Sequence, residues 1–416
     1  MARLANVINP TRNGRLPVEE RPAFNTHVHL PPNFSAFDTV EDAIATAARE
    51  GARIIGSSNF HDFGVYDRFA KAARANGVAA LFGLEFISVL EEEQRQGIKI
   101  NDPGNPGRAY ICGKGIPAPT VPSKETRRFM DTAKASNEAR TRTMVDLIGG
   151  LFSDAGLTLD VSYASIVADV AARAQVPQEW VVLQERHVAL GFQLALFAQV
   201  PADRRAALLE KVYGTPPKAA PDNAVATQGE LRSRLMKAGC PAFVEETAIP
   251  FTEGLAFVLG LDAIPVYPTL ADGVIPICGF EDPVEDLIER ILGYGIHGAE
   301  LIPIRNTPEV VDRYVRAWRD AGIFAMVGTE HNTQERIPVG PTCLEGVPLS
   351  PEVLDICWEG TCIVAAHQHL RAAGEPGYVD REGALNPTFP DGESRIRYFA
   401  ELGEHVLVEA ISEASR

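Results

Sequence analysis

Residues 24–32 read FNTHVHLPP, and the reading given to His27 and His29 decides how the rest of the chain is read. The run looks like a strand. In a strand, side chains two positions apart point to the same side, so these imidazoles share a face and can share an ion. Imidazole is a good ligand for zinc, iron and manganese-type sites. Two hydrogen-bonded core histidines would look the same locally, so the neighbouring elements have to decide.

Outward from that run the chain alternates strand and helix. AFNTHVHL reads as a strand, TVEDAIATAAREG as an amphipathic helix ending at Gly51, and ARIIGSSNF as a strand. VYDRFAKAARANG is a helix ending at Gly77, and VAALFGLEFISV is a strand. Helices that stop at glycine with a strand following at once are the mark of βα units with short loops. Residues 101–118, rich in Gly and Pro, read as an extended loop, and 120–255 as largely helical. The alternation resumes near 256: AIPVYPTL, GAELIPI and IFAMVGTE are strands, separated by the helices PVEDLIERILGYG and TPEVVDRYVRAWRDAG.

The expected fold is therefore α/β, a βα barrel or wound sheet interrupted by a helical insertion. Residues 1–118 and 256–345 form its two halves, 119–255 the insertion, and 346–416 a helical extension. Chemistry in such folds sits at the carboxyl ends of the strands.

Those ends carry further candidates. His61 follows ARIIGSSNF, Glu85 lies inside the apolar strand FGLEFIS, and Glu330 and His331 follow IFAMVG. A buried, unpaired carboxylate is costly, so Glu85 needs a cation or a hydrogen-bonding network. A second H-x-H, His367 and His369, lies in a helical stretch, where positions i and i+2 point to different faces and cannot share an ion.

On these residues the chain resembles the polymerase and histidinol phosphatase (PHP) superfamily of metal-dependent phosphoesterases, over 22–113 and about 255–334. The family's H-x-H is His27 and His29. Its Asp-His is NFHD with His61, its Gly-x-Glu is GLE with Glu85, and its Gly-Ser-Asp-x-His is GTEHN with Glu330 and His331. The insertion, with LQERHVALGFQ and LMKAGCPAFVEE, resembles the branch acting on AMP-like nucleotides and RNA 5′ ends, with Arg186 and His187 at its Arg-Pro-His segment. The resemblance implies a distorted TIM-like (β/α)7 barrel of PHP type. It also implies a hydrolase with one or two divalent ions (Mn, Zn or Fe) held by His27, His29, Glu85, and Glu330 or His331. The family site holds three ions. Here Phe60 replaces the aspartate of Asp-His, Tyr267 stands where the family has a histidine, and Glu330 replaces the final aspartate with His331 adjacent to it.

The resulting expectation is hydrolysis of a small phosphate ester, a nucleotide or sugar phosphate, by a metal-activated water. Arg186, His187, Lys114 and Arg305 are candidates to hold the phosphate, and His61, His331 and Tyr267 to move protons. One alternative is a metal-dependent isomerase or lyase acting on a sugar acid or hydroxy-keto acid. Another is a non-catalytic, metal- or ligand-binding barrel.

Bulk properties narrow the partners. A net charge of −16 over 416 residues argues against long nucleic acid, whose binding needs phosphate neutralisation, and leaves a small anionic substrate open. No apolar run has signal-peptide or membrane-spanning length, so no membrane partner is expected. The six cysteines form no C-x-x-C pair, which fits a reducing, cytoplasmic setting. Nothing in the pattern fixes the oligomeric state.

Overall fold

The structure is a computed structural model that describes residues 16–17, 20–60, 63–118, 123–247 and 249–414. The first half runs β1 (Ala23–Val28), α1 (Val40–Arg49), β2 (Ala52–Ser57), β3 (Asn59–Phe60), α2 (Tyr66–Ala75), β4 (Ala79–Leu81), β5 (Gly83–Val89), α3 (Glu91–Arg95) and β6 (Arg108–Lys114). A helical excursion follows: α4 (Lys124–Asp154), α5 (Tyr163–Ala174), α6 (Glu185–Gln199), α7 (Ala202–Tyr213) and α8 (Ala224–Leu231). The chain returns through α9 (Phe251–Gly260), β7 (Ile264–Thr269), α10 (Val284–Gly293), β8 (Gly298–Leu301), α11 (Pro308–Asp320) and β9 (Phe324–Val327), and ends with α12 (Pro351–Ala372) and α13 (Gly392–Ala414).

Local chemistry sets these boundaries. The Thr39 side chain accepts from the Asp42 N–H, with Glu41 and Asp42 in the first turn of α1, and both satisfy the positive end of a helix. Gly51 and Gly77 follow their helices at φ 87° and 65°, the left-handed conformation that ends a helix and favours glycine.

The strands form two sheets, β1-β2-β4 and β3-β5-β6-β7-β8-β9. β3 follows β2 after one residue and β5 follows β4 after one residue, so the two sheets are joined through these strands. Beyond β9, the Glu330 N–H donates to His27 O at 2.9 Å and the His29 N–H donates to Glu330 O at 2.9 Å, which lays the end of the last strand against the first. The pairing is parallel except at β6, which runs antiparallel to both β5 and β7.

β6 corrects the extended loop expected over 101–118. Gly and Pro at 103–107 supply only the reversal. The run Tyr110-Ile111-Cys112 that follows pairs in register with β5, from Gly83↔Lys114 to Val89↔Arg108. The sheet is mixed, not the uniformly parallel one of a regular βα barrel.

The main core lies between the strands and their flanking helices, with Ile54, Phe69, Phe86, Val266, Trp318 and Trp358 all buried. A second core, built around Met144, Phe152, Leu183, Phe192, Leu196 and Leu235, belongs to the excursion. Helix α4 bridges the two: Met130 packs in the main core and Met144 in the other. Among the described residues no helix is long and apolar enough to cross a membrane.

Candidate metal centre

His27 on β1, His29 just past its end and Glu85 on β5 converge. His27 Nε2 lies 3.4 Å from His29 Nε2. Glu85 Oε2 lies 3.4 Å from His29 Nε2 and 3.9 Å from His27 Nε2. All three side chains are buried.

Hydrogen bonding fixes what these atoms are. His27 Nδ1 lies 2.8 Å from a carboxylate oxygen of Glu300, so Nδ1 carries the proton and Nε2 a lone pair. His29 Nδ1 lies 3.5 Å from Asn33 Oδ1, an atom that also accepts from the Phe60 N–H at 2.7 Å. His29 Nε2 therefore also presents a lone pair. With both outer nitrogens as donors, two imidazole lone pairs and a carboxylate oxygen face one another in a buried site, which is repulsive unless a cation or a shared proton lies between them. With bonds of about 2.0–2.1 Å, tetrahedral ligand atoms sit roughly 3.3–3.4 Å apart, close to the spacings found. The residues fit a divalent ion.

A second cluster, His27, Cys112 and Glu300, is already provided with a cation. Lys114 Nζ lies 2.9 Å from Glu300 and donates to Thr26 O and Ser58 Oγ at 3.0 and 2.7 Å. Burial pushes the Cys112 thiol well up, so it stays protonated and ligates poorly. Burial alone would raise the Glu300 carboxyl, but Lys114 and His27 together hold it well below the usual range. This group braces His27, as outer carboxylates brace metal-binding histidines.

Glu300 escaped the sequence reading, although a carboxylate inside the apolar strand GAELIPI is the same signal that singled out Glu85. Lys114, a candidate for the phosphate, is instead spent on this ion pair beneath the site.

Gly328 allows β9 to come this close to β1. A Cβ there would lie 2.3 Å from His27 Cβ, so Gly328→Ala must displace His27. A shift of about 1 Å at a working group can cost on the order of 100-fold in rate. Gly328→Ala is expected to lose activity on that scale together with metal content, read by metal analysis and steady-state kinetics.

After β9 the chain passes through two left-handed residues, Glu330 (φ 61°) and His331 (φ 52°), each costing roughly 1–3 kcal/mol for a non-glycine residue. The turn separates the two side chains. Glu330 points into the cleft and pairs with Arg305 through both oxygens, Nη1 to Oε1 at 2.8 Å and Nη2 to Oε2, where Asn332 Nδ2 also donates. His331 turns away. Its Nδ1 lies 2.6 Å from Thr329 Oγ1 and its Nε2 donates to Ile337 O at 3.0 Å, with the ring stacked on Phe37. Neither nitrogen of His331 joins the triad.

Tyr267 also faces away. Its hydroxyl donates to Glu281 Oε1 at 2.9 Å, and burial with Glu281 beside it holds the phenol well above its ordinary range. His187 is buried behind Phe34, and its Nδ1 accepts from the Gln184 N–H at 3.0 Å to cap α6. Phe60, where the family has an aspartate, stacks on His29. His61 lies outside the described residues. The helical H-x-H divides as its periodicity demands: His367 is buried between Asp262 O (2.8 Å) and the Tyr378 N–H (3.0 Å), and His369 is exposed.

A cleft of about 660 Å³ opens beside Glu85 of the triad, walled by β-strand ends on one side and by α4, α6 and the segment after α8 on the other. Glu85, Phe60, Arg305 and Glu330 line its strand side, and Arg140, Arg186, Arg232 and Lys237 its helical side. Three of those cations share Glu185: Arg140 at 2.6 Å, Lys237 at 2.8 Å and Arg232 at 3.1 Å. Burial would raise the Glu185 carboxyl, but these cations hold it down at about 2. Its stabilising contribution is therefore present above the ordinary carboxylate pKa and is lost as pH falls from about 4.5 toward 2. On the order of 3 kcal/mol is involved, and Glu185→Gln is expected to flatten the acid limb of stability in that window, measured by denaturant titration at stepped pH.

Arg186 has no carboxylate within ion-pair distance among the described residues. Burial, with Arg232 and Arg305 nearby, pulls its guanidinium down to about 10, which still leaves it charged at neutral pH. A partly desolvated guanidinium on a cleft wall, with no such partner among the described residues, is suited to receive an anion.

This architecture occurs in solved structures. A provisionally named metal-dependent phosphoesterase from Bifidobacterium adolescentis superposes with a TM-score of 0.54 at 15% identity, over 81% of this chain and 96% of that one. An amidohydrolase from Chromobacterium violaceum, solved with bound sulfate and no metal, gives 0.52 at 14% identity, over 80% and 96%. The resemblance read from the sequence holds at the level of fold. No family profile matches the chain, and no curated protein matches it in sequence.

Proposed function

We propose that the protein is a metal-dependent hydrolase of a small phosphate ester, a nucleotide or sugar phosphate, working on a distorted barrel of PHP type. The observation that carries this reading is the meeting of His27, His29 and Glu85, of which Glu85 reaches a cleft whose walls present Arg186 and Arg305. A divalent ion in that triad would polarise a bound oxygen and offset charge developing on the phosphoryl group.

The chain's own residues do the rest. Glu300 and Asn33 hold the two imidazoles with their Nε2 atoms aimed inward. Arg186 binds and orients the phosphate, as guanidinium forks do. Phe60 and Phe34 line the cleft beside it and limit water next to the reacting group. Tyr267 and His331 are both bonded away from the cleft, which removes them as proton carriers from the hydrolase and the isomerase or lyase readings alike.

Phosphate release from a panel of nucleotides and sugar phosphates, with manganese or zinc present, tests the reading. If the metal-loaded protein leaves every phosphate ester intact, the reading fails. Arg186→Ala is expected to lower kcat/KM by about 10- to 100-fold, the value of a charge-assisted contact of roughly 1.5–3 kcal/mol, mainly through KM and with metal content unchanged.

A further inference from the structure

We infer that the described residues provide for one ion, and that the Arg305 guanidinium, forked onto Glu330, serves as a second positive charge of the cleft in place of a second ion on that carboxylate. This rests on the reading of His27, His29 and Glu85 as a metal site. A second ion beside the first needs ligands of its own, and the described residues have committed theirs elsewhere. Both oxygens of Glu330 are taken by Arg305 and Asn332. Glu300 is shared between His27 and Lys114, and both ring nitrogens of His331 are engaged.

Glu330 is the carboxylate placed to serve such an ion. Its backbone pairs with His27 and His29 on either side, and its side chain lines the cleft with Glu85. The fork pairing with Arg305 gives Glu330 its countercharge without metal. Glu330 and Glu85 in turn keep the guanidinium firmly charged against the effect of burial.

A two-metal site clamps both sides of a transferring phosphoryl group with two divalent ions. Here one side of that clamp is organic. A guanidinium has five N–H donors in a plane. Two of them hold Glu330, which leaves others for a substrate oxygen in the cleft that Arg305 lines. The substitution trades a divalent charge for a monovalent one with fixed direction, so the second contact does not depend on metal supply.

Manganese titration followed by electron paramagnetic resonance and elemental analysis tests this without any substrate. The wild-type protein is expected to take up one equivalent of Mn²⁺ with the spectrum of an isolated ion. Arg305→Met, which frees Glu330, is expected to bind a second equivalent at least ~10-fold more tightly than any residual binding in wild type. The spectrum should then show spin coupling between ions about 3.5–4 Å apart. Arg305→Lys, which keeps a charge, should stay at one equivalent, and Arg305→Met with Glu330→Gln should return to one. Two equivalents in wild type would overturn the inference while leaving the metal reading intact. So would a folded Arg305→Met protein, checked by circular dichroism, that remains at one. A wild-type protein that takes up no Mn²⁺ or Zn²⁺ would bring down the metal reading and this inference together.

Discussion

The His27→Ala protein is expected to leave purification with neither metal nor hydrolase activity. Structural zinc sites with four ligands bind with about 10–16 kcal/mol, so each ligand carries roughly 3–4 kcal/mol, or on the order of 100- to 1,000-fold in affinity. The loss is steeper here because His27 is the ligand contacted by everything around it. Its Nε2 faces His29 and Glu85, its Nδ1 faces Glu300, and its backbone carbonyl accepts from Thr329 and Glu330. Glu85→Gln should behave alike, since an amide keeps the shape of the side chain and removes its charge. Thermal melts in chelator separate this from unfolding: Glu85→Gln should melt close to the metal-free wild type, and His27→Ala below it but still cooperatively, because Glu300 loses a buried partner. His369→Ala, on the exposed face of α12, should alter nothing. Full metal retention in His27→Ala would place the ion elsewhere.

Glu300→Gln carries the second large effect, and it is two effects in one residue. Glu300 is wholly buried between Lys114 and His27. Removing one partner of a buried ion pair typically costs about 3–5 kcal/mol, because the remaining charge is left in a low-dielectric interior. Loss of a carboxylate behind a metal-binding histidine typically weakens the metal by about 10- to 100-fold. The double variant Glu300→Gln/Lys114→Met divides the two. It removes the stranded ammonium and should recover most of the stability, but metal affinity should stay low because His27 Nδ1 still lacks its carboxylate. Recovery of metal affinity along with stability would show that Glu300 serves the packing of the sheet rather than the aim of His27.

The strands and helices that frame this site were legible because their signals are local. Gly51 and Gly77 end their helices, and Val- and Ile-rich runs mark the strands. His27 and His29 could be paired from strand periodicity alone, and Glu85 from its apolar surroundings. What escaped depends on partners distant in sequence. The strand Arg108–Lys114 looked like loop because Gly and Pro crowd just ahead of it, and only β5 and β7 on either side make it a strand. The residue types at 330 and 331 were visible, but not the two left-handed turns that send one side chain to Arg305 and the other to Ile337. Tyr267 needed the register: Pro268 lies beside Glu300 and Tyr267 beside Ala299, so once Glu300 points inward the tyrosine points outward.

β6 and β7 are hydrogen-bonded neighbours, with Lys114 opposite Ile264, although the whole helical excursion separates them along the chain. The sheet closes over that gap as if nothing had been spliced in, and the excursion brings its own hydrophobic centre with it. On the proposed function, the metal triad and the cations that would select a substrate are therefore physically divisible. The triad stays with the strands, while Arg140, Arg186, Arg232 and Lys237 travel with the helices. A lineage, or an engineer, could exchange the helical roof for another and redirect the catalyst to a new anion without unpairing a single strand.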